Sequence, residues 1–284
     1  MIPGTRAVRA AGLARRLPNF ARTYAMTDTG EQALLVIAEE AAEAAAAELR
    51  ARFGQRHGVR AKSGPTDLVS DADLAAESAI RDVLATHRPG DAILAEEGGA
   101  SGHGALRWVV DPLDGTINFL FGIPVFAVSI AVEDARGALA GVVLDPLRDE
   151  RFAATRSGPP TLNGDAIEAS ARSDLSTALV ATGFGYDAPV RARQAVVISR
   201  VLPQVRDIRR LGAAALDLVW TACGRYDAYF ERGLKAWDLA AGALIGARAG
   251  LELRPLEATA EDPAGVAAAP AALIGPLMDL VRST

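Results

Sequence analysis

The chain holds a single cysteine, Cys223, and three histidines, His57, His87 and His103, in 284 residues. One cysteine excludes an internal disulfide and fits a reducing compartment, which points to the cytoplasm. None of the histidines stands beside a nucleophile motif. There is no Gly-x-Ser-x-Gly elbow, no Walker loop and no zinc helix motif. Gly183-Phe184-Gly185 lacks the third glycine of a dinucleotide fingerprint. Excess positive charge is missing too. The formal net charge is −5 at pH 7, which argues against nucleic acid as the main partner. No apolar run is long enough to cross a bilayer, because the alanine-rich stretch 33–47 carries Glu39, Glu40 and Glu43. What is there is ordinary for a globular protein with a full core: 50% hydrophobic and 23% charged residues. Cys223 lies in an apolar helical stretch and reads as a buried structural thiol.

The first 28 residues stand apart. They carry Arg6, Arg9, Arg15, Arg16 and Arg22 and no acid before Asp28. A transit peptide has this composition, and so does a flexible extension with Met26 as the natural start; we read it as the extension and expect disorder there. Residues 29–284 read as one domain. In its N-terminal half, 29–160, the periodicity predicts helices over 31–53 and from Asp71 to the Pro89-Gly90 stop, with a turn-rich loop over 62–67 between them. Short apolar runs at 92–95, 108–110, 125–132, 141–144 and 151–154 predict consecutive antiparallel strands. In the C-terminal half, 161–284, strands at 178–181 and 227–231 alternate with helices at 190–202, 212–223 and 237–249, and 207–210 forms a short edge segment. The chain closes with a strand at 271–274 and a helix at 276–281. This βαβ-like rhythm, with no linker between halves, predicts an α/β architecture of two sheets layered between helices.

The segment 108–119, WVVDPLDGTINF, is the chemical centre. Trp108, Val109 and Val110 read as the end of a buried strand that stops at Asp111-Pro112. Asp114-Gly115-Thr116 is turn chemistry, and Asp114 is placed to cap a helix starting near Thr116, whose free N–H groups suit an anion. Other acids stand at element ends beside small residues: Glu96 (with Glu97), Asp238 and, at the start of the second predicted helix, Asp73. If such acids converge with no cation, each like-charge pair at ~4 Å costs on the order of 4 kcal/mol at an effective dielectric of about 20. All-oxygen donors without His or Cys select magnesium or manganese over zinc.

The two segments WVVDPLDGTINF and WDLAAGALIGARAG, the latter at 237–250, give the chain its resemblance to the inositol monophosphatases, within the lithium-sensitive, magnesium-dependent phosphatases. The resemblance runs from about Glu31 to the C-terminus and implies the layered fold of that family. It implies that Glu96, Asp111 and the Leu113 carbonyl hold a first Mg2+, and that Asp111, Asp114 and Asp238 hold a second. A third, weaker ion would lean on Glu96, and Mn2+ is a possible substitute. Gly115 and Thr116 would offer N–H groups to the phosphate. Asp73 and Thr116 match a hydrogen-bonded pair that helps orient the attacking water, with Glu96 as its partner in aiming it. Lys62 matches a mobile lid. Glu231 matches a position that binds inositol hydroxyls, with Gly212 and Ala214 nearby, and Lys235 stands where animal members often have His. The implied substrate is inositol-1-phosphate. Histidinol-phosphate phosphatases share both segments, and sugar or nucleotide phosphatases and a non-catalytic binding protein are more distant alternatives. Family members are usually homodimers, for which Arg209-Arg210 is a plausible contact.

Overall fold

The computed structural model describes residues 30–55, 59–64 and 67–282. The Arg-rich extension lies outside them. Five layers stack in the order helix, sheet, helix, sheet, helix, with an apolar core in each of the spaces that flank the sheets.

The first layer is α1 (Glu31–Arg52) against α2 (Asp71–His87). Alanines give the pair its close approach: Ala38, Ala41, Ala42, Ala45 and Ala46 of α1 and Ala72 and Ala76 of α2 are fully buried. Between the two helices in sequence, β1 (Val59–Gly64) and β2 (Asp67–Ser70) form an irregular antiparallel hairpin. The expected loop over 62–67 is therefore largely strand. Residues 62–64 lie on β1, and the ladder shifts register between Ala61 and Gly64.

An eight-stranded sheet makes the second layer, in the order β10-β9-β8-β7-β6-β5-β3-β4. Its strands are β3 (Ala92–Ala95), β4 (Gly99–Ser101), β5 (Arg107–Asp114), β6 (Ala127–Asp134), β7 (Gly137–Asp145), β8 (Glu150–Thr155), β9 (Thr161–Leu162) and β10 (Asp165–Ala166). All neighbours are antiparallel except β3 and β5. Strand period explains the two faces: Val128, Ile130 and Val132 meet α1 and α2, while Ala127 and Ala131 meet the next layer.

That next layer is α5 (Ala214–Ala222) with α6 (Ala236–Arg248). Behind it stands a five-stranded sheet in the order β12-β11-β13-β15-β14, formed by β11 (Leu179–Thr182), β12 (Asp207–Arg209), β13 (Ala228–Arg232), β14 (Glu252–Leu256) and β15 (Gly265–Ala269). The strands β12, β11 and β13 are parallel, and β15 and β14 are antiparallel additions. Helices α4 (Ala188–Val201) and α7 (Ala271–Val281) close the far side. The strand expected at 271–274 is the first turn of α7, a continuous helix despite Pro276. A four-residue apolar run has no period of its own, and Pro270, at the N-cap, leaves no N–H of its own to be satisfied at the helix start.

The expected strand stop at Asp111-Pro112 is also corrected. Strand β5 continues to Asp114, and its ladder with β6 slips between Asp111 and Asp114. Pro112 sits inside that slip, where its missing N–H breaks no regular ladder bond. Gly115 then turns the chain at φ 92° into the short helix α3 (Thr116–Leu120). A Cβ there would also lie 3.0 Å from the Val125 carbonyl oxygen. Gly115→Ala is expected to destabilise the fold by on the order of 1–3 kcal/mol, read by urea denaturation. An unchanged midpoint would show that the turn relaxes freely.

Candidate active site

The acids from the sequence come together where the first sheet meets the α5–α6 layer. Asp111 and Asp114 stand at the end of β5 and are buried. Glu96 follows β3, its N–H bonded to the Val110 carbonyl at 3.2 Å, which sets it beside the end of β5. Asp238 lies in the first turn of α6 and accepts the Lys235 N–H at 2.7 Å. Asp111 shares hydrogen bonds with both Glu96 and Asp238.

Asp114 does not cap the helix that follows it. Its two carboxylate oxygens accept the N–H groups of Ala214 and Ala215, at 3.1 and 2.8 Å, at the start of α5. The cap of α3 is Gly115, with no side-chain bond. The carboxylate thus joins residues 100 positions apart and meets the positive end of the longer helix.

Asp73 accepts the Ser70 N–H (2.9 Å) and hydroxyl (2.6 Å) on Oδ2, as the closing acid of the α2 cap. Its Oδ1 lies 3.0 Å from Thr116 Oγ1, which is also 3.1 Å from the Leu113 carbonyl oxygen. Gly212 lies on the approach to α5, and Ala214 is its first residue. Asn118 ties α3 to that approach by donating to the Val125 and Leu211 carbonyls, both at 2.8 Å. Lys235 is the exposed N-cap of α6. Lys62 has its backbone on β1; its side chain lies outside the described residues.

Glu231, on β13, accepts the Tyr229 hydroxyl at 2.9 Å. Burial pushes its pKa up to about 7, against the pull of that hydroxyl and of Arg210. Its carboxyl packs on Gly183, where a Cβ would fall 2.0 Å from Glu231 Oε1. Gly183, a poor nucleotide fingerprint in the sequence, has this close approach to account for it.

Two acids escaped the sequence reading. Glu77 on α2 is buried and accepts the Glu97 and Gly98 N–H groups at 3.0 Å while pairing with Arg81 at 2.7 Å, so it holds the turn that carries Glu96. The available signal was its place one helical turn after Asp73. Asp217 on α5 is fully buried, and neither carboxylate oxygen has a hydrogen-bond partner among the described residues. Burial, then the charges of Glu231 and Asp114, raises its pKa well above the ordinary range. Its signal was an acid inside the apolar run AALDLVWTA.

Burial is the first cause that raises Asp111 well above the usual carboxylate range, followed by the charges of Glu96, Asp114 and Asp238. Asp114 is raised by burial and then by Asp238. Asp238 is raised to about 6, mainly by burial. Among the described residues, no three acids are already spaced as ligands of one ion; they hydrogen-bond to one another instead. The donor set nevertheless fits a hard divalent cation, which would offset the mutual repulsion of these crowded carboxylates.

The Inositol monophosphatase family model matches residues 31–277. The chain belongs to the inositol monophosphatase family. It is 43% identical over 234 residues to the inositol-1-monophosphatase of Mycobacterium bovis, covering 75% of this chain and 81% of the relative. It is 46% identical over 195 residues to the Nus factor SuhB of Pseudomonas aeruginosa, covering 65% and 70%. Among solved structures, the extragenic suppressor protein suhB of Bartonella henselae superposes with a TM-score of 0.82 at 35% identity, over 87% of this chain and 98% of that one. The layered fold is therefore that of this family, the chain is a phosphomonoesterase, and its substrate is a small phosphorylated molecule. Enzymes of the family generally use divalent metal ions. No helix among the described residues is long and apolar enough to cross a membrane.

Two predictions follow from the geometry. Glu77→Ala leaves the Glu97 and Gly98 N–H groups without their acceptor, which should cost about 1–3 kcal/mol of stability and loosen the Glu96 turn. Thermal melting and amide exchange at Gly98 read both effects. The second concerns metal removal. A carboxyl whose pKa is raised by folding stabilises the fold below its unfolded value and loses that contribution as pH rises through the folded one. Asp238, raised from 3.8 to about 6, and Glu231, raised from 4.5 to about 7, set the window. With chelator present, the melting temperature should fall as pH rises through that range, and added Mg2+ should flatten the fall. A chelated protein whose melting temperature climbs across the same range would contradict the assignment.

Proposed function

We propose that the enzyme hydrolyses inositol-1-phosphate to myo-inositol and phosphate in a magnesium-dependent reaction. The observation that carries this is the gathering of Glu96, Asp111, Asp114 and Asp238 at one end of β5, with Glu231 near enough that its charge acts on Asp114 and that of Asp238 acts on it. The relative named inositol-1-monophosphatase supports the substrate.

Two or three Mg2+ ions, with Mn2+ as a possible substitute, would polarise the phosphate and lower the pKa of an attacking water. Glu96, Asp111 and the Leu113 carbonyl would hold one ion, and Asp111, Asp114 and Asp238 another. Thr116 lies within hydrogen-bonding distance of Asp73. With its hydroxyl hydrogen turned to that carboxylate, its lone pairs are left to accept from a water and aim it, with Glu96 as the second acceptor. The N–H groups of Gly115 and Thr116 would meet phosphate oxygens. Glu231 would accept from the substrate's hydroxyls, beside Gly212 and Ala214, and Lys235 stands at the rim. Lys62 on the β1–β2 hairpin would cover the site. Lithium sensitivity, a homodimer with Arg209-Arg210 at its contact and a place in the cytoplasm belong to the same reading.

Asp111→Asn should abolish phosphate release while leaving circular dichroism unchanged, because it removes a ligand shared by two ions. Near-normal Mg2+-dependent turnover in that variant would refute the assignment. Parallel assays on inositol-1-phosphate and histidinol phosphate test the substrate; a higher kcat/KM on the second would transfer the reading to it. The relatives named Nus factor SuhB support a second, binding role. Absence of phosphate release with and without Mg2+ would favour that role alone.

A further inference from the structure

On the face of the second sheet turned away from the acidic site, Arg232, Arg254 and Arg282 line a groove of about 460 Å3. Arg232 follows Glu231 on β13, and strand alternation sends the two side chains to opposite faces. The arginine is buried, 8% exposed. Its Nη1 donates to the carbonyl oxygens of Glu257 (2.9 Å), Pro263 (2.8 Å) and, at 3.5 Å, Leu256. Its Nε and Nη2 donate to no group among the described residues, and neither is sealed from solvent. Asp262, whose charge acts on Arg232, is paired with Arg193 at 2.7 Å.

A buried guanidinium anchored at one nitrogen, with its Nε–Nη2 edge unused, is oriented for a two-point bond to a carboxylate or phosphoryl group. Arg254 is bound only by an exposed pair with Glu252 at 2.8 Å, and an exposed pair of this kind gives way easily. Leu256 and Met278 supply an apolar wall. Glu257 is the one acid on the lining, against the three arginines. The volume lies within the range of small-molecule sites. We propose that this groove binds a small organic dianion through the free edge of Arg232, with Arg254 and Arg282 completing the charge and the apolar wall taking its body. This site is separate from the acidic cluster and does not depend on the substrate reading above.

The test is calorimetric titration of the full chain, freed of divalent ions on a chelating resin so that the acidic cluster repels anions. Phenylphosphonate and phthalate are the probes, and they separate phosphoryl from carboxylate ligands. One or both should bind the wild type. Arg232→Lys keeps a donor for the carbonyls but lacks the forked edge, and should weaken binding about tenfold or more. Arg254→Ala/Arg282→Ala changes only side chains at the groove's rim and should weaken binding comparably at an unchanged melting temperature. It keeps the test valid if Arg232→Lys fails to fold. Absence of binding by the wild type to both probes, or wild-type affinity in the double variant, would overturn the proposal.

Discussion

Like charges resist being brought together, and carboxylates resist burial; the acids at the end of β5 do both. Much of the surrounding structure opposes that cost. Asp114 is received by two N–H groups at the start of α5, Asp238 by the Lys235 N–H, and Asp73 by Ser70. Asp111 accepts the Leu113 N–H at 3.0 Å and also shares hydrogen bonds with Glu96 and Asp238. A divalent cation, of the kind that enzymes of this family generally use, would offset what remains.

The layered architecture follows from placing such a site. Strand β5 lies inside the first sheet; β6 pairs with Asp111 and Asp114 on one side, and on the other the β3 ladder ends at Val110, which brings Glu96 beside them. Helices α5 and α6 fill the space between sheets, and both begin at the same point, one taking the Asp114 carboxylate and the other contributing Asp238. The slip in the β5–β6 ladder allows β5 to carry both acids without a turn between them. Ser129 on β6 bonds the Trp237 carbonyl at 3.2 Å, tying the sheet to the start of α6.

What the sequence revealed of this has a physical pattern. Residues within one element were legible, because periodicity and turn chemistry are local: the helices α1 and α2, the antiparallel run from β5 to β8 and the acids of WVVDPLDGTINF can all be read from a short window, whereas the strands at 92–95 and 108–110, expected to be antiparallel, pair in parallel. Partners across the fold were not. That Asp114 caps α5 rather than α3 depends on an approach between residues 100 apart. The Glu77 bonds to the Glu96 turn depend on how α2 packs, and the fit of Glu231 to Gly183 depends on the pairing of β11 with β13. The run at 271–274 was misread as strand because a short apolar segment has no period to distinguish its possible conformations.

The Asp114 bond to α5 has a consequence for the order in which the molecule becomes competent. Its acceptor comes from the first sheet and its donors from the far side of the chain, as does Asp238. A ribosome that has delivered β5 has made Glu96, Asp111 and Asp114 but neither the helix that receives Asp114 nor the last acid. The emerging chain therefore carries incomplete chemistry until both α5, which receives Asp114, and α6, which brings Asp238, have been made.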